Sequence, residues 1–279
     1  MKNLRFNPIL SVALVALAFL LTAVMWKAKS ASQITTVVNA ATDPGPRTPV
    51  LVELFTSEGC SSCPPADALL AELDQKQFVP SAEAIVLSEH VSYWNGLGWR
   101  DPFSSQIFTN RQTDYARRLG IEGPYTPQAV VDGHIDAVGS NRNSLAQAIQ
   151  AAAIEPKVLL ALQNARWENG LASADVVATV QSGPYQNATL MAALADDEDQ
   201  SSVLRGENEG RSLRHVAVVR NLVELSKKSG PLNSLAIQVK LPSGAPQPKM
   251  RLIVFLTDNR SGRILGAAEQ TVAAQTTIK

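Results

Sequence analysis

The chain has 279 residues, of which 45% are hydrophobic and 18% are charged, so it is long enough for two globular domains and is not intrinsically disordered. It carries 25 basic and 25 acidic residues and no stripe of lysine or arginine, which argues against nucleic-acid binding. Without its first 30 residues, which hold four basic and no acidic side chains, the chain is mildly acidic.

The N-terminal segment predicts export. Lys2 and Arg5 precede an apolar run of 18 residues at 9–26, a length between that of a signal-peptide core and that of a membrane-spanning helix. No cleavage site fits well, so residues 1–30 are interpreted as an N-terminal membrane anchor in preference to a cleaved signal peptide. Residues 31–48, rich in small polar residues, Pro and Gly, predict a linker. The remainder is therefore expected in the periplasm or another extracytoplasmic space, tethered to the inner membrane.

The next segments predict an α/β domain over residues 49–155. The apolar run PVLVELF predicts a buried strand, and leucines at helical spacing after the following turn predict a helix. Residues 84–87 predict a second strand, so the order strand, helix, strand favours a parallel sheet. A further helix, a hairpin at Asp132 and Gly133, and an alanine-rich helix over 145–154 complete the predicted domain.

Beyond Pro156 the pattern changes to short apolar runs that alternate with polar residues. In residues 235–241, for example, every second side chain is apolar, as in a strand with one buried face. Residues 156–279 are therefore expected to form an all-β, sandwich-like domain.

The two cysteines of the chain, Cys60 and Cys63, form a C-S-S-C motif at the predicted strand-to-helix turn. The free N–H groups and positive dipole end of a helix start stabilise a thiolate. Cys60 is expected to attack a substrate and Cys63 to resolve the mixed disulfide, as in a thiol–disulfide oxidoreductase. No organic cofactor is expected, because the cysteines themselves carry the electrons.

Other interpretations of the motif remain open. A structural disulfide closing a four-residue loop would contribute only about 2 kcal/mol. A zinc site needs four ligands, and the three histidines, His90, His134 and His215, show no recognisable spacing. Copper(I) binding by Cys60, Cys63 and His90, as in a metallochaperone, is an alternative function. A redox-inert envelope interaction protein is another.

Several residues are predicted to lie around the cysteines. Glu53 interrupts the first apolar strand, and we expect it either to move protons beneath the cysteines or to face water on an edge strand. Tyr93 and Trp94 are expected either to form an apolar wall that holds substrate or to cover a core or domain boundary. Thr126 and Pro127 precede the predicted hairpin and are candidates for the substrate edge. His90 is interpreted as a possible site residue or as a structural histidine.

Four blocks of sequence resemble an uncharacterised bacterial family of exported thioredoxin-like proteins: VELFTSEGCSSCPPAD, HVSYWNGLGWRDPFS, YTPQAVVDG and RGENEGRSLRHVAVVR. The resemblance covers roughly residues 49–270 and implies a thioredoxin-like N-terminal fold with an all-β C-terminal part. It implies that Pro127 is a cis-proline facing the cysteines. That family carries an aspartate where this chain has Ser92, so a His–carboxylate partnership is not expected at that spot.

The resemblance also bears on partners. Thr126 before Pro127 is similar to the periplasmic disulfide isomerases, which implies protein substrates. The expected partners are protein or small-molecule thiols and disulfides. A polar cluster in the fourth block is hypothesised to orient the two domains, to form a partner-docking surface or to be a solvated face of the sheet. It comprises Arg205, Glu207, Asn208, Arg211, His215 and Arg220.

Overall fold

A computed structural model describes residues 47–179, 187–228, 234–242 and 249–273 of the chain. In the first part, the elements are β1 (Thr48–Thr56), α1 (Pro64–Lys76), β2 (Ala82–His90), α2 (Gln106–Leu119), β3 (Gln128–Val131), β4 (Ile135–Val138) and α3 (Arg142–Ala153). The second part contains β5 (Leu159–Glu168), β6 (Leu171–Thr179), β7 (Ala188–Ser202), β8 (Ser212–Lys228), β9 (Leu235–Lys240), β10 (Lys249–Asp258) and β11 (Ile264–Ala273). The described residues are therefore mostly β.

Local signals in the sequence account for the elements of the first part. Prolines occupy the first two positions of α1, where the absent N–H groups would have had no partner within the helix. The side chain of Ser105 accepts a hydrogen bond from the Ile107 N–H and caps α2. β3 and β4 form the predicted hairpin, with the turn residue Asp132 in a left-handed conformation. The two predicted strands and three predicted helices of this part are confirmed.

The predicted fold class is wrong at the level of the whole chain. Eight strands form one mixed sheet in the order β11-β10-β7-β8-β2-β1-β3-β4. Strand β8 joins the two parts, since its Val218 pairs in parallel with Ser88 of β2. No thioredoxin-like α/β domain followed by an all-β sandwich is therefore evident in the described residues. The alternating apolar runs beyond Pro156 correctly predicted strands, such as β9, but did not show that the strands of the second part continue the sheet of β2. The change of pattern at residue 155 falls between α3 and β5.

Three large groups of buried side chains hold the sheets and helices together. Alternate residues of β1, such as Val52 and Leu54, pack with α1 and α3 on one face of the large sheet. Leu51 and Phe108 belong to a second group, on the α2 side. The small sheet, in the order β5-β6-β9, buries its apolar face against β7 and β10. Since β1 and β2 run parallel, the turn that follows β1 lies at the carboxyl ends of both strands.

The predicted anchor at residues 1–30, and all but the end of the predicted linker at residues 31–48, lie outside the described residues. Thr48 is already the first residue of β1. Among the described helices, none combines the length and the apolar character needed to cross a membrane.

Candidate functional site

A disulfide joins Cys60 and Cys63 in the turn between β1 and α1, which we call the cysteine turn (residues 57–63). Cys63 occupies the N-cap position of α1 and receives hydrogen bonds on its carbonyl from the Ala66 and Asp67 N–H groups, at 2.8 and 3.1 Å. Both cysteines are fully buried. The pair therefore lies at the positive end of a helix dipole, which favours a thiolate when the disulfide opens.

A loop from the second half of the chain covers the cysteine turn. We call residues 203–211, which connect β7 to β8, the cap loop. The buried Asn208 side chain donates hydrogen bonds to the carbonyls of Glu58 and Cys60, at 2.8 and 2.9 Å. Glu207 accepts a hydrogen bond of 3.0 Å from the Ser61 N–H. These three contacts hold the cap loop against the cysteines.

The segment at residues 91–105, which we call the aromatic loop, closes a second side of the site. A Cβ atom on Gly59 would lie 3.1 Å from the Cβ of Trp94, so the loop touches the cysteine turn. The aromatic loop also meets the cap loop through Gly98, whose φ is 104° and where a Cβ would lie 3.3 Å from the Cα of Gly206. Only glycine tolerates both the left-handed backbone and this approach.

The predicted substrate edge lies beside the same turn. The Thr126–Pro127 peptide bond is cis. Trp94 Nε1 donates a hydrogen bond of 2.8 Å to Thr126 Oγ1, so the aromatic loop and the edge are in contact. Pro127 lies near the start of α1, because a Cβ on Gly139 would be 3.3 Å from both Pro127 and Ala66. The structure thus brings together Trp94, Thr126, Pro127 and the cysteines, with Tyr93 partly exposed at the rim.

A buried layer of ionisable side chains borders the cysteine turn. We call it the polar layer; it consists of Glu58, Asp67, His90, Asp101 and His215, all at least 95% buried. His90 Nδ1 lies 2.7 Å from Asp101 Oδ2, and the rings of His90 and His215 meet edge to face at 4.6 Å. His215 Nε2 lies 3.4 Å from Glu58 Oε1, and its Nδ1 lies 3.7 Å from Asp67 Oδ2. The layer therefore forms one continuous chain of contacts.

The charges of the polar layer follow from these contacts. Burial opposes protonation of His215, but the Asp67 and Glu58 carboxylates outweigh it and raise the pKa of His215 to about 10. His215 is therefore an imidazolium at neutral pH. Burial acts to raise the pKa of Asp101, but His90 and two backbone N–H donors hold that pKa below its ordinary value. Burying so many ionisable groups costs stability, which is typical of a functional site.

Glu53 is not in this layer. Its neighbours Val52 and Leu54 pack towards α1, so strand alternation turns Glu53 to the α2 face of the sheet. There its carboxylate accepts hydrogen bonds from Arg111 Nε at 2.5 Å and Tyr115 Oη at 2.6 Å. Burial and the nearby Glu53 charge raise the pKa of the adjacent Glu89 well above its ordinary value. The hypothesis that Glu53 moves protons for the cysteines requires it to be buried, and it is. The sheet, however, separates Glu53 from the cysteines.

Sequence reasoning missed most of the polar layer. Ser92 cannot give His90 a carboxylate partner, and Asp101 provides one from nine residues further along the chain than the family pattern suggests. Asp67 had a detectable signal, because it follows Cys63 by one helical turn. Within the described residues, no group of three or more His, Cys, Asp or Glu side chains is arranged to hold a metal ion. The copper(I) alternative therefore gains no support from the geometry.

The sequence and the fold were compared with those of known proteins. Residues 51–257 match a family described as "Protein of unknown function (DUF1223)". A crystal structure of a protein from Agrobacterium tumefaciens, a structural genomics target, matches with a TM-score of 0.61 and 24% identity, covering 83% of this chain and 97% of that chain. This likeness concerns the fold alone. A DUF3823 family protein from Bacteroides ovatus reaches a TM-score of only 0.27 at 12% identity, covering 41% and 53% of the two chains. No curated protein matches the sequence.

Proposed function

The chain belongs to the DUF1223 family of proteins of unknown function, and from its own site we propose that it is a thiol–disulfide oxidoreductase acting through Cys60 and Cys63. The observation that carries this proposal is the position of the disulfide at the start of α1, beside a buried polar layer that packing does not explain. The helix start stabilises a thiolate and the layer offers proton acceptors. The expected substrates are thiols and disulfides, and no organic cofactor is required.

Access to the disulfide requires a movement. Both sulfur-bearing residues are fully buried under the cap loop and the aromatic loop. A substrate sulfur must approach one cysteine in line with the disulfide bond, so the cap loop has to leave the cysteine turn first. Three hydrogen bonds, two from Asn208 and one to Glu207, oppose that step. The proposed enzyme is therefore gated.

The burial of both cysteines also favours a second candidate function. A disulfide closed off from solvent is typical of an inert structural bridge, and the protein would then act by interaction alone. The two candidates differ in the equilibrium reduction potential of the pair. Exchange catalysts lie between about −270 and −120 mV, whereas stable structural disulfides lie below about −300 mV.

The test is equilibration of the full-length protein in glutathione buffers of graded potential, followed by thiol trapping. A potential within the range of exchange catalysts supports the oxidoreductase, and a lower one supports the inert bridge. Cys63→Ser is expected to accumulate a mixed disulfide between Cys60 and glutathione, with Cys60→Ser as the matched variant. Equal trapping by the two variants would contradict the assignment of Cys60 as the attacking residue.

We also propose an extracytoplasmic location with an N-terminal tether. The support is the apolar run at residues 9–26 preceded by Lys2 and Arg5. Fractionation of cells that express the full chain, followed by carbonate washing of the membranes, tests the tether. Recovery of the protein in the cytoplasmic fraction would contradict the proposal.

A further inference from the structure

The polar layer contains one carboxylate oxygen that differs from the others. In Glu58, both carboxylate oxygens accept hydrogen bonds, from Trp99 Nε1 at 2.7 Å and from Ser201 Oγ. In Asp101, one oxygen accepts from the Phe103 N–H, and the other contacts His90 and the Glu58 N–H. Among the described contacts, Asp67 Oδ2 is fully buried and receives no hydrogen bond. Among the carboxylate oxygens of the layer, it is therefore the one open to a proton.

Asp67 is also held in a suitable place. It lies in the first turn of α1, four residues after Cys63, a spacing that puts both side chains on the same helix face. Its Oδ1 accepts a hydrogen bond of 2.8 Å from Thr56 Oγ1, which fixes the orientation of the carboxylate. Its Oδ2 lies 3.7 Å from His215 Nδ1.

His215 completes the arrangement from β8. Both of its ring nitrogens lack a hydrogen bond within the described structure, but they lie between the carboxylates of Asp67 and Glu58. The single imidazolium charge lies beside both negative charges and offsets them in part. When a proton is placed on Asp67, the imidazolium and the Glu58 carboxylate are left as a neutral pair, and when it is withdrawn one negative charge returns beside the imidazolium. His215 acts through Asp67 and is a positioning residue.

We propose that Asp67 takes up the proton of Cys63 during disulfide exchange, an inference that rests on the proposed function. In the direction that reduces a substrate disulfide, the Cys60 thiolate attacks one substrate sulfur, and the other substrate sulfur leaves as a thiolate. The Cys63 thiol then gives its proton to Asp67 Oδ2 and attacks the Cys60 sulfur. The bond between Cys60 and substrate breaks, and the second substrate sulfur leaves and takes up the proton that Asp67 received, which restores the Asp67 carboxylate. Two electrons pass from the cysteine pair to the substrate.

The test measures resolution of a defined mixed disulfide in the full-length protein. The reduced protein is loaded with one glutathione on Cys60, and its release is followed from pH 5 to 9. For the unaltered protein we expect a release rate that is nearly flat around neutral pH. For Asp67→Asn we expect at least a tenfold loss at neutral pH and a rate that rises in proportion to hydroxide. Glu72→Gln, on an outer face of α1, is the matched control and should behave like the unaltered protein.

The outcomes separate the inference from the function on which it rests. Failure of the unaltered protein to release glutathione would overturn the proposed function itself. Release by Asp67→Asn with the normal rate and pH profile would overturn the role of Asp67 while leaving the function intact. If Asp67→Asn does not fold, His215→Gln provides the same readout, and an unchanged pH profile in that variant would overturn the proposal.

Discussion

The cap loop provides the sharpest test of how the disulfide is protected, through the substitution Asn208→Ala. The Asn208 amide donates to two buried carbonyls, those of Glu58 and Cys60. Each hydrogen bond of this kind contributes about 0.5–1.5 kcal/mol, so the closed cap should lose about 1–3 kcal/mol. At 1.4 kcal/mol per factor of ten, the open state becomes about 5 to 150 times more populated.

The assay follows reduction of the disulfide by an excess of a water-soluble phosphine, with trapping of the released thiols at timed intervals. If the cap loop opens and closes rapidly, the observed rate scales with the open population, so Asn208→Ala should react about 5 to 150 times faster. Asn110→Ala, which removes an exposed amide on α2, is the control and should not change the rate. Urea unfolding of each variant separates opening of the cap from global loss of stability.

A rate for Asn208→Ala within a factor of two of the unaltered protein would refute the gate. The phosphine would then reach the sulfurs without movement of the cap loop. A faster rate accompanied by an equal gain in the Asn110→Ala control would also refute it, since the effect would not be specific to the cap loop.

Three further changes test other parts of the molecule. Glu53→Gln should lower the free energy of unfolding by about 3 kcal/mol, because it breaks a buried ion pair with Arg111. The reduction potential of the Cys60–Cys63 pair should stay unchanged in this variant, and a shifted potential would contradict the placement of Glu53 on the α2 face. The folded-state pKa of His215, about 10, lies above its ordinary value of 6.5, so its contribution to stability is complete below about pH 6.5 and is lost as the pH rises through about 10. Urea unfolding across that range should show a steeper fall for the unaltered protein than for His215→Gln, and parallel curves would contradict the prediction. Gly98→Ala should lower the free energy of unfolding by about 1 kcal/mol and speed reduction of the disulfide by the phosphine. Gly96→Ala is the control and should change neither, because no atom lies within 4 Å of its added Cβ. Equal reduction rates in the two variants would contradict the contact between the aromatic loop and the cap loop.

The case of Glu53 shows how far sequence reasoning reached at the site. The sequence left two interpretations of Glu53 open, burial beneath the cysteines and exposure on an edge strand, and the structure shows a fully buried side chain. The prediction that it moves protons beneath the cysteines depended on which face it occupies. Because side chains alternate along a strand, neighbouring residues of β1 point to opposite faces of the sheet. Glu53 points to the α2 face, where it packs with Arg111.

His90 makes a contact that the sequence did not predict. The sequence around His90 lacks the expected aspartate, so a His–carboxylate partnership was not predicted. The structure supplies the carboxylate from Asp101, because the aromatic loop returns to its start, where the Ser105 N–H donates to the His90 carbonyl at 3.0 Å. Loop closure of this kind has no signature in local residue spacing.

What the sequence determined by itself was local: the cysteine pair at a helix start, the prolines that begin α1, and the hairpin at Asp132. These features depend on neighbours a few residues away, whose conformational preferences act within a single turn. The tertiary structure alone decided the rest. Asn208 reaches the Cys60 carbonyl across a separation of 148 residues, and His215 enters the polar layer from the same strand that pairs with β2 at Val218. Such contacts follow from the order of strands in the large sheet, which is set by burial of whole faces and not by any short pattern.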